Sequence, residues 1–227
     1  MNAVRSLAFL AIAIVLAGCN GLAQAMTDAP VSTVKDTTPA FTNGADEKTW
    51  SFSASAYTYF VPDSRNYVQP TFTADRQGLH LEARYNYEDL DTVSAWVGYN
   101  FHVGEKVSLD FTPMLGGVFG NTTGIAPGYR GTLSWWKIVL YSEGEYVFDT
   151  GDRPASFFYN WSEMYFSPVE GFRFGLVAQR TRAYESDRDI QRGFLVGFSY
   201  KKVDLTTYVF NPDKDKPTAV VAAGVSF

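Results

Sequence analysis

From Trp50 onward the chain alternates apolar and polar residues, with turn residues breaking the pattern at short intervals. Such a period of two marks β-strands whose faces meet different surroundings. The clearest stretch runs from Leu79 to Tyr87. One face carries Leu79, Leu81, Ala83, Tyr85 and Tyr87; the other carries His80, Glu82, Arg84 and Asn86. Val107 to Thr112 repeats the pattern. In Ile138 to Phe148, Val139, Tyr141, Glu143, Glu145 and Val147 share one face.

The periodicity predicts about twelve strands. They fall near 50–60, 67–75, 79–87, 92–101, 106–119, 128–136, 138–149, 156–167, 172–182, 191–200, 203–210 and 217–227. Most have the length a tilted strand needs to cross a bilayer. The expected fold is all-β: a transmembrane antiparallel up-and-down β-barrel of about twelve strands, or ten if 67–75 or 203–210 fails to pair. An even count leaves both ends in the periplasm. Periplasmic turns then fall at 76–78, 102–105, 136–137, 169–171 and 201–202, and outer loops at 62–66, 88–91, 120–127, 150–155, 183–190 and 211–216. No loop is long enough to fold into the pore as a constriction. Pro113 lacks the N–H a central strand donates, so its strand is expected to be irregular, with a bend at Gly116-Gly117.

Alternation alone does not say which face turns inward. A twelve-stranded barrel has a radius of roughly 12 Å, too wide for small residues to fill as a dry core. Aromatic residues make up 16% of the chain. On the apolar face they gather at strand ends: Tyr85, Tyr87, Tyr129 and Phe148 toward one rim, Phe101, Trp135, Phe172, Tyr200 and Phe227 toward the other. Paired aromatic girdles belong to a barrel with lipid outside and a polar lumen. Ala219, Val221, Ala223, Val225 and Phe227 alternate to the last residue, and Val225 with Phe227 resembles the C-terminal signal that bacterial outer-membrane barrels present to their assembly machinery. The resemblance is to that broad porin-like class and places residues 49–227 in the outer membrane as an integral barrel.

The N-terminus reads as a targeting segment. Arg5 precedes an apolar run from Leu7 to Leu16, too short for a permanent membrane helix, and small residues follow. Ala23-Gln24-Ala25 suits signal-peptide cleavage before Met26, giving a signal peptide over 1–25. Alternatively, Leu16-Ala17-Gly18-Cys19 resembles a lipobox, with cleavage after residue 18 and a lipidated Cys19. Residues 26–48 lack periodicity and read as a disordered periplasmic leader.

Cys19 is the sole cysteine, so the barrel has no disulfide and no thiolate metal site. The net charge of −5 gives no basic stripe for phosphates and excludes nucleic acid as a partner. No cofactor motif is present. The polar face sends His80, Glu82, Arg84, Asp110, Arg130, Glu143, Glu145, Arg173 and Asp204 into the lumen. These charges either select solutes or pair with one another and brace the wall. Acids outnumber arginines, which points to cation preference. A lipid hydrolase would need a histidine beside a serine where lipid reaches it, but His80 is inward and His102 falls in a turn. The expected function is a narrow passive channel for small polar solutes. The alternatives are a closed structural or interaction barrel and, third, a lipid-modifying enzyme. Outer-membrane lipid, lipopolysaccharide and the barrel assembly machinery are the expected partners.

Overall fold

A computed structural model describes residues 49–151, 156–181 and 189–227. Residues 1–25, read as a signal peptide, Cys19 among them, and 26–48, read as a leader, lie outside the described residues. The strands, in chain order, are β1 Ser51–Phe60, β2 Tyr67–Arg76, β3 Leu79–Tyr85, β4 Thr92–Tyr99, β5 Phe101–Val103, β6 Val107–Gly120 and β7 Gly124–Trp135. They continue with β8 Ile138–Asp149, β9 Phe157–Val169, β10 Phe172–Thr181, β11 Asp189–Tyr200, β12 Val203–Phe210 and β13 Thr218–Ser226.

Apart from β4 and β5, consecutive strands pair antiparallel, and β1 pairs with β13 to close the sheet. Both β4 and β5 pair with β6, so they form a single stave and the barrel has twelve. The short segments at β2 and β12 pair on both sides. Closure through β1–β13 and β4–β6 pairs every long strand on both sides, as lipid requires; the short β5 pairs with β6 alone. The outward positions form an apolar belt that includes Phe72, Val97, Leu115, Ile125, Leu140, Leu176 and Phe194, all exposed. Phe101, Trp135, Tyr200 and Phe227 mark one rim of the belt and Phe148 the other. A closed barrel with this belt is an integral outer-membrane barrel.

The irregularity expected at Pro113 falls on the neighbouring stave. β6 runs unbroken from Val107 to Gly120 and pairs Pro113 with Tyr129 on its β7 side. On the other side pairing stops at Gly98–Met114 and resumes at Phe101–Phe111. The two skipped positions lie opposite Pro113, where no N–H is available, and Thr112. β6 continues through Gly116 and Gly117 without a break. A Cβ on Gly116 or on Gly128 would run into the Trp96 ring, so these glycines make room for an inward indole. The region 120–127 is mostly strand, because β7 begins at Gly124.

Two further expectations change at β3. The strand ends at Tyr85, and Asn86 takes a left-handed φ of 57°. That turn breaks the alternation and swings Tyr87 into the lumen rather than onto the outer girdle. The loop 86–91 therefore does place side chains inside, short as it is. His102 lies in β5, where it faces Asp110 on β6.

Candidate functional site

The inner wall has two unlike sectors. From β2 to β8 it is charged. His80 Nδ1 lies 2.7 Å from Asp75 Oδ1 and its Nε2 lies 3.1 Å from Glu82 Oε2. Glu82 also accepts from Arg84 Nε and, at 2.7 Å, from Arg130 Nη2. Arg84 Nη1 donates to Glu145 at 2.7 Å. The Arg84 guanidinium sits between the rings of Tyr87 and Trp96, 4.2 and 4.5 Å from their centroids. Such cation–π contacts gain strength when desolvated. Arg130 Nε lies 3.5 Å from Glu143, whose two oxygens accept the hydroxyls of Tyr87 and Tyr141, each at 2.5 Å.

His80, Glu82 and Arg84 are 1%, 4% and 3% exposed, so this part of the lumen is packed, not washed. Asp75, Glu82, Glu88, Glu143 and Glu145 supply five carboxylates against the guanidiniums of Arg84 and Arg130 and the single imidazole of His80. By number of groups, the carboxylates of this sector outnumber its basic groups five to three.

Near the periplasmic end Arg173 grips Asp204 through both terminal nitrogens, at 2.7 and 2.8 Å. Ser199 and Thr206 complete that pair. Asp110 lies 2.6 Å from His102 Nδ1. His80, Glu82, Arg84, Asp110, Arg130, Glu143, Glu145, Arg173 and Asp204 thus all face inward. The first three join with Arg130, Glu143 and Glu145 in one network, whereas Arg173–Asp204 and Asp110–His102 stand as separate pairs.

The sector from β9 through β13 to β1 is aromatic. Tyr59, Tyr159, Trp161, Tyr165, Tyr208 and Phe210 are buried in one cluster with Val220 and Ala222. Trp161 packs edge-on against Tyr57 and Tyr208 at 5.9 and 5.1 Å between centroids. Tyr59 stacks on Tyr67 at 4.6 Å, and Tyr87 meets Tyr159 at 5.1 Å. Small residues do not fill this lumen; aromatic ones do much of it. Sequence periodicity does not locate them, because β9 carries rings on both faces, with Tyr159, Trp161 and Tyr165 inside and Phe158 and Phe166 outside. Glu163, on the inner parity of the same strand, is equally hidden from a pattern reading.

A cavity of about 180 Å³ remains between the two sectors. It runs from Lys202 and Asp204 at the periplasmic mouth to Tyr59, Gln69, Tyr87 and Tyr159 near the outer one. Glu143 and Glu163 face it at mid-depth. Tyr59, Tyr87 and Tyr159 line its outer end.

No family model matches the chain, and no curated protein matches its sequence. Solved structures do match the fold. The KdgM porin aligns with a TM-score of 0.52 at 11% identity, over 77% of this chain and 99% of its own. A second KdgM structure, titled as a complex with disordered oligogalacturonate, gives 0.49 at 12% identity over 78% and 99%. OccK10 (OpdN) of Pseudomonas aeruginosa gives 0.42 at 11% identity over 78% and 69%. The KdgM likeness shows a shared β-barrel fold.

Proposed function

We propose that the protein is a narrow passive channel for small polar solutes across the outer membrane. The observation that supports this best is the cavity that threads the charged lumen from the periplasmic mouth to the Tyr59–Tyr159 region. Selection in such a channel comes from size at the tyrosine ring and from the acidic excess of the wall, which favours cations. The same reading takes Val225 and Phe227 as the assembly signal and lipopolysaccharide as the neighbour of the outer loops. Both residues turn their side chains outward, and the backbone of Phe227 pairs in both directions with Phe52.

One observation favours a closed barrel instead: the mutual pairing of His80, Glu82, Arg84 and Glu145, which leaves water almost no access. An enzyme reading draws less support. Both ring nitrogens of each histidine are engaged by carboxylates or a carbonyl, and neither touches a hydroxyl nucleophile among the described residues. Planar-bilayer recording separates the first two readings. The channel reading expects discrete conductance steps that fall in reversal-potential measurements on the cation-selective side. Glu143→Gln combined with Glu145→Gln is expected to reduce that selectivity; an unchanged reversal potential would remove these two residues from the selecting wall.

A further inference from the structure

We propose that the mid-lumen cavity is a binding site for small organic cations, amines or quaternary ammonium ions, held by Glu163 and Glu143 within tyrosine and tryptophan walls. The proposal deepens the channel reading, since it names the solute class the lumen retains.

Glu163 carries the argument. It is 7% exposed, and that remainder faces the cavity. The Trp161 indole N–H and the Tyr208 hydroxyl both donate to Oε1, each at 2.8 Å. Among the described residues nothing donates to Oε2, and no Lys, Arg or His forms an ion pair with this carboxylate. A buried carboxylate without a counter-ion is costly. The basic groups of the cavity leave Glu163 unpaired: Arg130 pairs with Glu82 and, at 3.5 Å, with Glu143, and Arg173 pairs with Asp204. Lys202 lines only the periplasmic mouth, in the turn before β12.

Glu143 reinforces the site. Pairing of Tyr141 with Glu163, and of Glu143 with Trp161, sets the two carboxylates diagonally on adjacent strands. Diagonal neighbours stand about 7–8 Å apart at the backbone, so one small cation reaches both. The lining between them is aromatic: Tyr57, Tyr141, Trp161 and Tyr208. Rings attract a cation through their negative faces, and the gain is greatest where water is excluded. Quaternary ammonium ions shed water readily and need no acceptor for each proton, so they suit a wall with few free acceptors. The volume of about 180 Å³ exceeds the roughly 150 Å³ cavity that accepts benzene in an engineered core.

The test uses choline and its uncharged isostere, 3,3-dimethylbutan-1-ol, which share a shape and differ in charge. Full-length barrel in detergent micelles is titrated with each, following the tryptophan fluorescence that Trp161 contributes and, in parallel, calorimetric heat. Saturable binding of choline at least tenfold tighter than that of the isostere is expected. Glu163→Gln, which keeps an oxygen for the Trp161 and Tyr208 donors, is expected to abolish the difference while the barrel stays heat-modifiable on gels. Trp161→Phe, which keeps a ring and removes one donor, is expected to weaken choline severalfold and serves if Glu163→Gln fails to fold. Equal affinity for the two probes, no binding of either, or choline binding untouched by both variants would overturn the proposal. Passage is measured apart, as choline-carried current in planar bilayers. A silent bilayer with intact choline binding would defeat the channel reading and leave the site standing.

Discussion

Arg84 shows how much of this lumen rests on single groups. Its guanidinium is bonded to Glu82 and Glu145 and is clasped by two rings, with nearly no water. Removing one partner of a buried ionic network strands the other charges, at a cost of about 3–5 kcal/mol. Arg84→Met should therefore lower the urea midpoint of the folded barrel by a corresponding amount, and adding Glu145→Gln should recover part of it. No change in midpoint would show the network to be dispensable. The polar members of this network were legible from alternation alone, because Glu82 and Arg84 stand on the face opposite Leu79, Leu81 and Ala83. That they pair was one of two sequence readings; which partner each takes was not legible, since it depends on register between β3, β7 and β8, which the period of two does not encode.

At the level of elements, the loop 86–91 departs furthest from a sequence reading. Its inward turn depends on Asn86, whose left-handed backbone is braced by side-chain bonds to Val68 and Asp91. Asparagine tolerates that conformation, but nothing in the sequence says that this one adopts it. The turn buries Glu88 beneath the outer mouth. Burial pushes its carboxyl above the usual carboxylate range, partly offset by Arg84 and by the Ser94 hydroxyl. A raised value in the fold means that the loop is most stable while Glu88 is protonated. That stability is lost as pH climbs from the ordinary carboxylate range through the raised value. Hydrogen exchange of residues 86–91 should accordingly quicken as pH rises, after correction for intrinsic rates, and Glu88→Gln should flatten the dependence. Protection that grows with pH in the wild type would contradict this assignment. Strand limits, by contrast, were readable nearly to the residue at β8 and β12, where turn residues flank clean alternation.

For the molecule as a whole, the barrel was the most legible feature and the state of its lumen the least. Closure, strand number and the apolar belt follow from composition and periodicity. The interior does not, because an aromatic ring satisfies either side of a barrel wall: Phe158 meets lipid while Tyr159, one residue on, packs inside. In the channel reading proposed above, the cluster of Tyr59, Tyr87 and Tyr159 at the outer end of the cavity sets the size limit. Tyr59→Ala and Tyr159→Ala should each widen that end and raise conductance severalfold, with the pair exceeding either alone. Conductance indifferent to both would move the constriction elsewhere. The channel reading itself meets its most direct test in single-molecule recording of the refolded wild-type protein in planar bilayers. Discrete, reproducible conductance steps with cation preference are the predicted result. A bilayer that stays silent while gels show a fully folded, heat-modifiable barrel would contradict it.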